Sequence, residues 1–135
     1  MVVALCASCD IETSDNGPLD GFWHLEKVDT LATGGSRQMD EQRVFWSFQG
    51  HLLSVVDKID PTTECVLRFA HDGEELKLSE PHRSNREEGD PLLTTADALR
   101  MFGINALEES FVVETLKGRK MVLRGKDVRL IFKKF

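Results

Sequence analysis

Positive charge is in short supply in this chain: 17 Lys and Arg against 23 Asp and Glu leave a formal net charge of −6 over 135 residues. A phosphate backbone is held by clustered Lys and Arg, so the composition disfavours nucleic acid as a partner. Long hydrophobic runs are missing as well, and nothing approaches the roughly 20 apolar residues of a membrane-spanning helix. There is no low-complexity tract and no internal period of the kind that builds a solenoid. Tyrosine is absent altogether, and only three cysteines occur. What remains, 41% hydrophobic and 30% charged, is the balance of an ordinary folded domain. The length favours one domain with a real core.

The motifs of catalysis are also missing. His24, His51, His71 and His82 show no H-x-H or H-x-x-x-H spacing, so no local metal motif is present. The doubled acids Glu74-Glu75, Glu87-Glu88 and Glu108-Glu109 fall at turns, and neighbouring residues on a strand point to opposite faces. Such a pair cannot work as one carboxylate dyad. No phosphate-cradling glycine loop, nucleophile elbow or Cys-x-x-Cys is found. The sequence therefore reads as non-enzymatic, with no metal and no cofactor. Cys65 stands inside a strand pattern, where a lone thiol behaves as a small buried hydrophobe.

What is present is strand after strand. The turn signals Gly17-Pro18 and Asp20-Gly21 lead into Phe22–Val28, where apolar and polar residues alternate. After a loop from Asp29 to Glu41, further strands are expected at Arg43–Gln49, His51–Lys58, Glu64–His71 and Glu74–Glu80. The segment Ile59–Thr63, holding Pro61, reads as a turn. Pro81 to Pro91 interrupts the series, and one short helix follows at Ala96–Phe102, ended by Gly103, with Ile104 folding back on Leu99. Its apolar set, Leu99, Phe102 and Ile104, should cover or plug one end of the fold. Ser110–Lys117, Lys120–Arg124 and Val128–Lys134 complete eight strands. Short connections make neighbours antiparallel, and an eight-stranded meander closes most simply on itself.

The first residues have a different character. Met1–Ala7 is a small-apolar run followed by Ser8 and Cys9, and this resembles the end of a bacterial lipoprotein signal in which Cys9 becomes lipidated. The run is short and lacks a basic flank, so the expected basic part would lie upstream. A frayed or buried N-terminal strand would have the same composition. Residues 1–9 are thus read as a signal remnant, 10–20 as a flexible polar tether and 21–135 as the folded domain. An acidic stretch directly after such a cysteine is similar to the export signal of surface lipoproteins of Bacteroidetes. That resemblance implies a cell-envelope, outer-membrane location facing outward, with the membrane as partner through the lipid at Cys9.

Gly21, Phe22 and Trp23 match the Gly-x-Trp opening of the lipocalins and their calycin relatives, and the chain most resembles the lipocalin-like domains of Bacteroidetes lipoproteins. The resemblance implies an all-β, eight-stranded antiparallel up-and-down barrel, here with one short helix between strands five and six. It also implies a basic side chain lying over Trp23 to seal the closed end. Arg129 is the first candidate for that role and Arg124 the second. The family's middle Thr-Asp-Tyr motif is absent. Period 2 places Trp46, Phe48, Leu67, Phe69, Phe111 and Val113 on the interior face, where they either line a site for a small apolar or amphipathic ligand or simply fill the barrel. Two functions stay open: a lipid-anchored ligand binder, or an accessory interaction module of a cell-surface complex with a filled barrel. A continuous apolar cavity with an open mouth favours the first, and a filled interior with exposed aromatic residues favours the second. Nothing in the sequence specifies an oligomeric state.

Overall fold

The computed structural model describes residues 16–135. Nine strands follow one another: β1 (Gly21–Thr30), β2 (Ser36–Gln38), β3 (Val44–Gln49), β4 (Leu52–Asp57), β5 (Asp60–Asp72), β6 (Glu75–Arg83), β7 (Glu109–Lys117), β8 (Lys120–Arg124) and β9 (Val128–Lys134). Every pairing is antiparallel; from β3 to β9 each strand pairs with the next, β1 pairs with both β2 and β3, and β9 pairs back onto β1 from Lys134↔Trp23 to Val128↔Thr30. The sheet closes into an eight-stranded up-and-down barrel, which removes its free edges. β2 is an added ninth strand. It pairs with the upper half of β1 (Lys27↔Gln38 to Asp29↔Ser36), while β3 takes the lower half (Gly21↔Phe48 to His24↔Phe45).

Where the boundaries differ from the sequence reading, the causes are local. β2 was not expected because all three of its residues are exposed, and alternation carries no signal when neither face is buried. β5 starts at Asp60 and runs through Pro61, so only Lys58 and Ile59 turn. Pro61 offers no ladder donor, and the Thr63 hydroxyl accepts instead from the Asp57 N–H at 3.0 Å. β6 continues through Pro81 to Arg83 across a bulge opposite Leu67, with Glu80 at φ 51°. The hairpin between β5 and β6 turns on Gly73 and Glu74, since Asp72 already pairs with Glu75. The short helix expected at Ala96–Phe102 is a 3₁₀ helix, Asp97–Phe102. Six residues are too few for a stable run of i→i−4 bonds, and the tighter turn suits so short a plug.

Both ends of the barrel are sealed. Below, Gly17–Leu19 forms a 3₁₀ turn whose Leu19 is fully buried. Asn16 is fixed there too, bonding the Asp20 carboxylate and the Gly50 carbonyl. The polar tether expected over residues 10–20 is therefore shorter on its C-terminal side, because residues 16–20 belong to the floor. Above, Leu99, Phe102 and Ile104 are fully buried, as their apolar character requires. Gly103 ends the plug at φ 86°, and a Cβ there would stand 2.6 Å from the Leu130 Cδ2. Both conformation and space thus demand glycine.

Candidate functional site: an aromatic lumen and an aromatic outer wall

Trp46 sits at the centre of the barrel. It projects inward from β3, fully buried, and its ring meets Phe132 of β9 at 4.9 Å and Phe111 of β7 at 6.0 Å between centroids. β3 and β7 stand on opposite walls of the sheet order, so three rings bridge the lumen from side to side. Phe48 continues the stack to Trp46 at 6.2 Å and to Phe69 of β5 at 5.0 Å. Edge-on and tilted contacts of this kind match the charge distribution of aromatic rings. The indole N–H of Trp46 donates to the carbonyl of Phe102 at 3.1 Å, tying the lumen to the mouth plug across 56 residues.

The six interior residues read from period 2 come together. Trp46, Phe48, Leu67, Phe69 and Phe111 all join the core, and Val113 packs against it half-buried. β7 departs from simple alternation one step later. A bulge between Val113 and Thr115 shifts the phase, so that Leu116 and not Thr115 packs on the core. Period-2 reading cannot anticipate a bulge, because the extra residue leaves no mark in hydrophobicity. The sequence reading also omitted Phe132 and Leu123 from the interior set, although both are core residues on strands it had placed.

The Gly-x-Trp opening has a definite structural role. Trp23 is fully buried and donates its indole N–H to the Leu19 carbonyl at 2.9 Å. The cation over its face is not Arg129. Lys134 fills that place, with Nζ 5.0 Å from the ring centroid and bonded to the Pro18 carbonyl at 3.1 Å. The register explains the correction, since Trp23 lies opposite Lys134 while Arg129 lies opposite Asp29 at the other end of the seam. Gly21 is needed beneath that lysine: it sits at φ 119°, and a Cβ would come 3.2 Å from the Lys134 Cε. Arg129 and Arg124, the second candidate, converge instead on Glu114 of β7 at 2.7 and 2.8 Å. The hydrogen bond from Arg129, reinforced by Arg124, holds the Glu114 carboxyl below its ordinary value.

Cys65 is buried, with its thiol 3.6 Å from the Thr63 carbonyl, and burial pushes its pKa up. It is a packing residue, not an activated nucleophile. Among the described residues no three His, Cys, Asp or Glu side chains gather to hold a metal ion. No helix among them is long and apolar enough to cross a membrane. Cys9 lies outside the described residues.

A second aromatic group lies on the outside. Phe45 points away from the lumen and is buried without belonging to the core cluster. It is covered by the edge of Phe135 at 5.3 Å, by His24 at 5.1 Å, and by the cations of Arg43 and Lys58 at 5.9 and 6.0 Å. Lys58 also stands 5.6 Å from the ring of Phe22. Together Phe22, Arg43, Phe45, Lys58 and Phe135 line a shallow groove of about 260 Å³. Across the β9–β1 seam a second groove, about 370 Å³, is lined by Glu26, Arg119, Lys120, Ile131, Phe132 and Lys133. Sequence reading missed this wall. Its aromatic residues occupy outward positions, and only the curvature of the sheet brings them to the C-terminal Phe135.

Comparison with known proteins agrees with the architecture. No curated protein matches the chain. A lipocalin-like protein from Bacteroides uniformis superposes with a TM-score of 0.66 at 25% identity, covering 88% of this chain and all of that one. An uncharacterized protein from Bacteroides eggerthii gives 0.65 at 22% identity, covering 86% and 98%, and shares the fold. The family model of the lipocalin-like domain matches residues 3–135. With the closed barrel, the Gly-x-Trp floor and a match over nearly its whole length, this chain belongs to the lipocalin-like domain family.

Proposed function

We propose that this protein is a non-catalytic, lipid-anchored interaction module that works from its outer surface and carries no small molecule in its barrel. The observation that supports this reading is the Trp46 ring touching Phe111 and Phe132 on other strands, in the space a carried ligand would need. An eight-stranded barrel has room for one small ligand or for its own side chains, and large aromatic residues take that room here. The small apolar ligand accordingly gives way to a partner held by loops or wall. Ala7-Ser8-Cys9 supports the anchor, and the acidic stretch that follows it supports a cell-envelope location facing outward. Native mass spectrometry of protein purified from its own source tests the lumen, with the expected result a mass free of any apolar small molecule. A co-purifying fatty acid or similar ligand, lost on Trp46→Phe, would return the protein to the carrier class. Incorporation of a labelled fatty acid that disappears in Cys9→Ala tests the anchor.

A further inference from the structure

The outer wall at the β9–β1 seam combines two features on a protein of net charge −6. The first is exposed aromatic surface: Phe22 is 52% exposed and Phe135 78%. These two share one rim of the barrel, where the Phe135 N–H donates to the Phe22 carbonyl at 2.9 Å. The second is positive charge left without a carboxylate partner. Among the described residues no ion pair engages Lys58, Lys120 or Lys133, and all three are exposed. Lys120 and Lys133 are cross-strand neighbours, and Lys133 in turn faces His24 of β1. Other cations of the sheet carry carboxylate partners, as Arg68 does in Glu80 and Arg129 in Glu114, whereas this band brings its unpaired lysines beside exposed rings.

The position of this band in the chain matters as much as its composition. The described chain begins at Asn16, fixed to the barrel floor beside Gly50 and Asp20, at the same end as Phe22 and Phe135. Seven residue steps separate Asn16 from Cys9, a span of at most about 25 Å when fully extended. A domain anchored there presents its floor rim to the bilayer. Amphipathic surfaces with aromatic residues ringed by lysine seat at the boundary between headgroups and acyl chains, and they favour anionic lipid.

We infer that the rim formed by Phe22, Phe135, Lys58, Lys120 and Lys133 docks on an anionic lipid surface and orients the domain with its plugged mouth away from the membrane. This deepens the proposed function and draws on the anchor at Cys9 only for the direction in which the barrel faces. The test therefore uses the unacylated full chain, Cys9→Ala, so that vesicle binding and lipidation succeed or fail separately. Sedimentation with phosphatidylcholine vesicles, with and without phosphatidylglycerol, should show binding that needs the anionic lipid and weakens with salt. The triple variant Lys58→Gln, Lys120→Gln, Lys133→Gln should lose affinity by about 100-fold, near fivefold for each lysine, with its thermal unfolding unchanged. In Phe135→Trp the new indole should shift its emission to shorter wavelength on the same vesicles. Equal binding to neutral vesicles, or full binding by the triple variant, overturns the inference. So does an emission shift with polyglutamate and none with vesicles, which would assign the rim to an acidic protein.

Discussion

The two tryptophans are equally buried, yet they hold opposite ends of the barrel in different ways. Trp23 bonds Leu19, four residues away, and is capped by a lysine that also ties the same short segment. Its hydrogen bond is local, while the cation over it comes from β9, at the far end of the sequence. Trp46 bonds Phe102, 56 residues away, and packs on rings from β7 and β9. Its site exists only once the barrel has closed. The indole hydrogen bond is thus short-range at the floor and long-range at the mouth. A defect at the floor should disturb a small neighbourhood, whereas one at the centre should weaken the whole closure.

The sharpest way to break that contrast is to remove each indole. Trp46→Ala should cost about 3–5 kcal/mol in a urea melt, leaving a void and an unpaired Phe102 carbonyl. It should also give the lumen room for an apolar probe such as xenon, with weaker uptake expected in the native protein. Trp23→Ala should cost a similar amount at most, and its lost protection from hydrogen exchange should be confined to the floor and the start of β1. Global loss of protection in both variants would erase the distinction between local and distant sealing.

Gly103→Ala is expected to come next, at about 1–3 kcal/mol, because a methyl group would press into Leu130 and take an unfavourable φ. Thermal denaturation measures it, and Leu130→Val in the same chain should recover part of the loss. Lys134→Gln should cost about 0.5–1 kcal/mol, the worth of an exposed cation over an aromatic face, and Arg129→Gln should leave the Trp23 environment unaltered by fluorescence. If Arg129→Gln shifts that emission and Lys134→Gln does not, the assignment of the capping cation is wrong.

The smallest effect belongs to Glu114→Gln. The folded carboxyl is held below its ordinary value, so the native state binds its proton less readily than the unfolded chain does. The stability it contributes is therefore present at neutral pH and fades as acid protonates the folded carboxyl, below the reference value of 4.5. Wild type and variant should unfold at slightly different temperatures at pH 7 and converge in acid. The pair is largely at the surface, so the difference will be small and reduced by salt.

Much of this protein was legible from order and alternation alone. Eight strands, their sequential antiparallel pairing and the five buried lumen residues from Trp46 to Phe111 follow from period-2 patterning between turn signals, because a half-buried strand must alternate. The buried plug followed from three apolar residues around a glycine stop. What the chain could not reveal is register. Whether Arg129 or Lys134 covers Trp23 depends on a seam between strands about a hundred residues apart in sequence, offset further by a bulge between Ile131 and Phe132. No local property of either residue encodes that offset. The meeting of Trp46 with Phe111 and Phe132 across the barrel likewise depended on closure, and the outer aromatic wall on the curvature that sets Phe135 against Phe45. Local alternation reports which face a side chain takes; only closure of the sheet decides what it meets there.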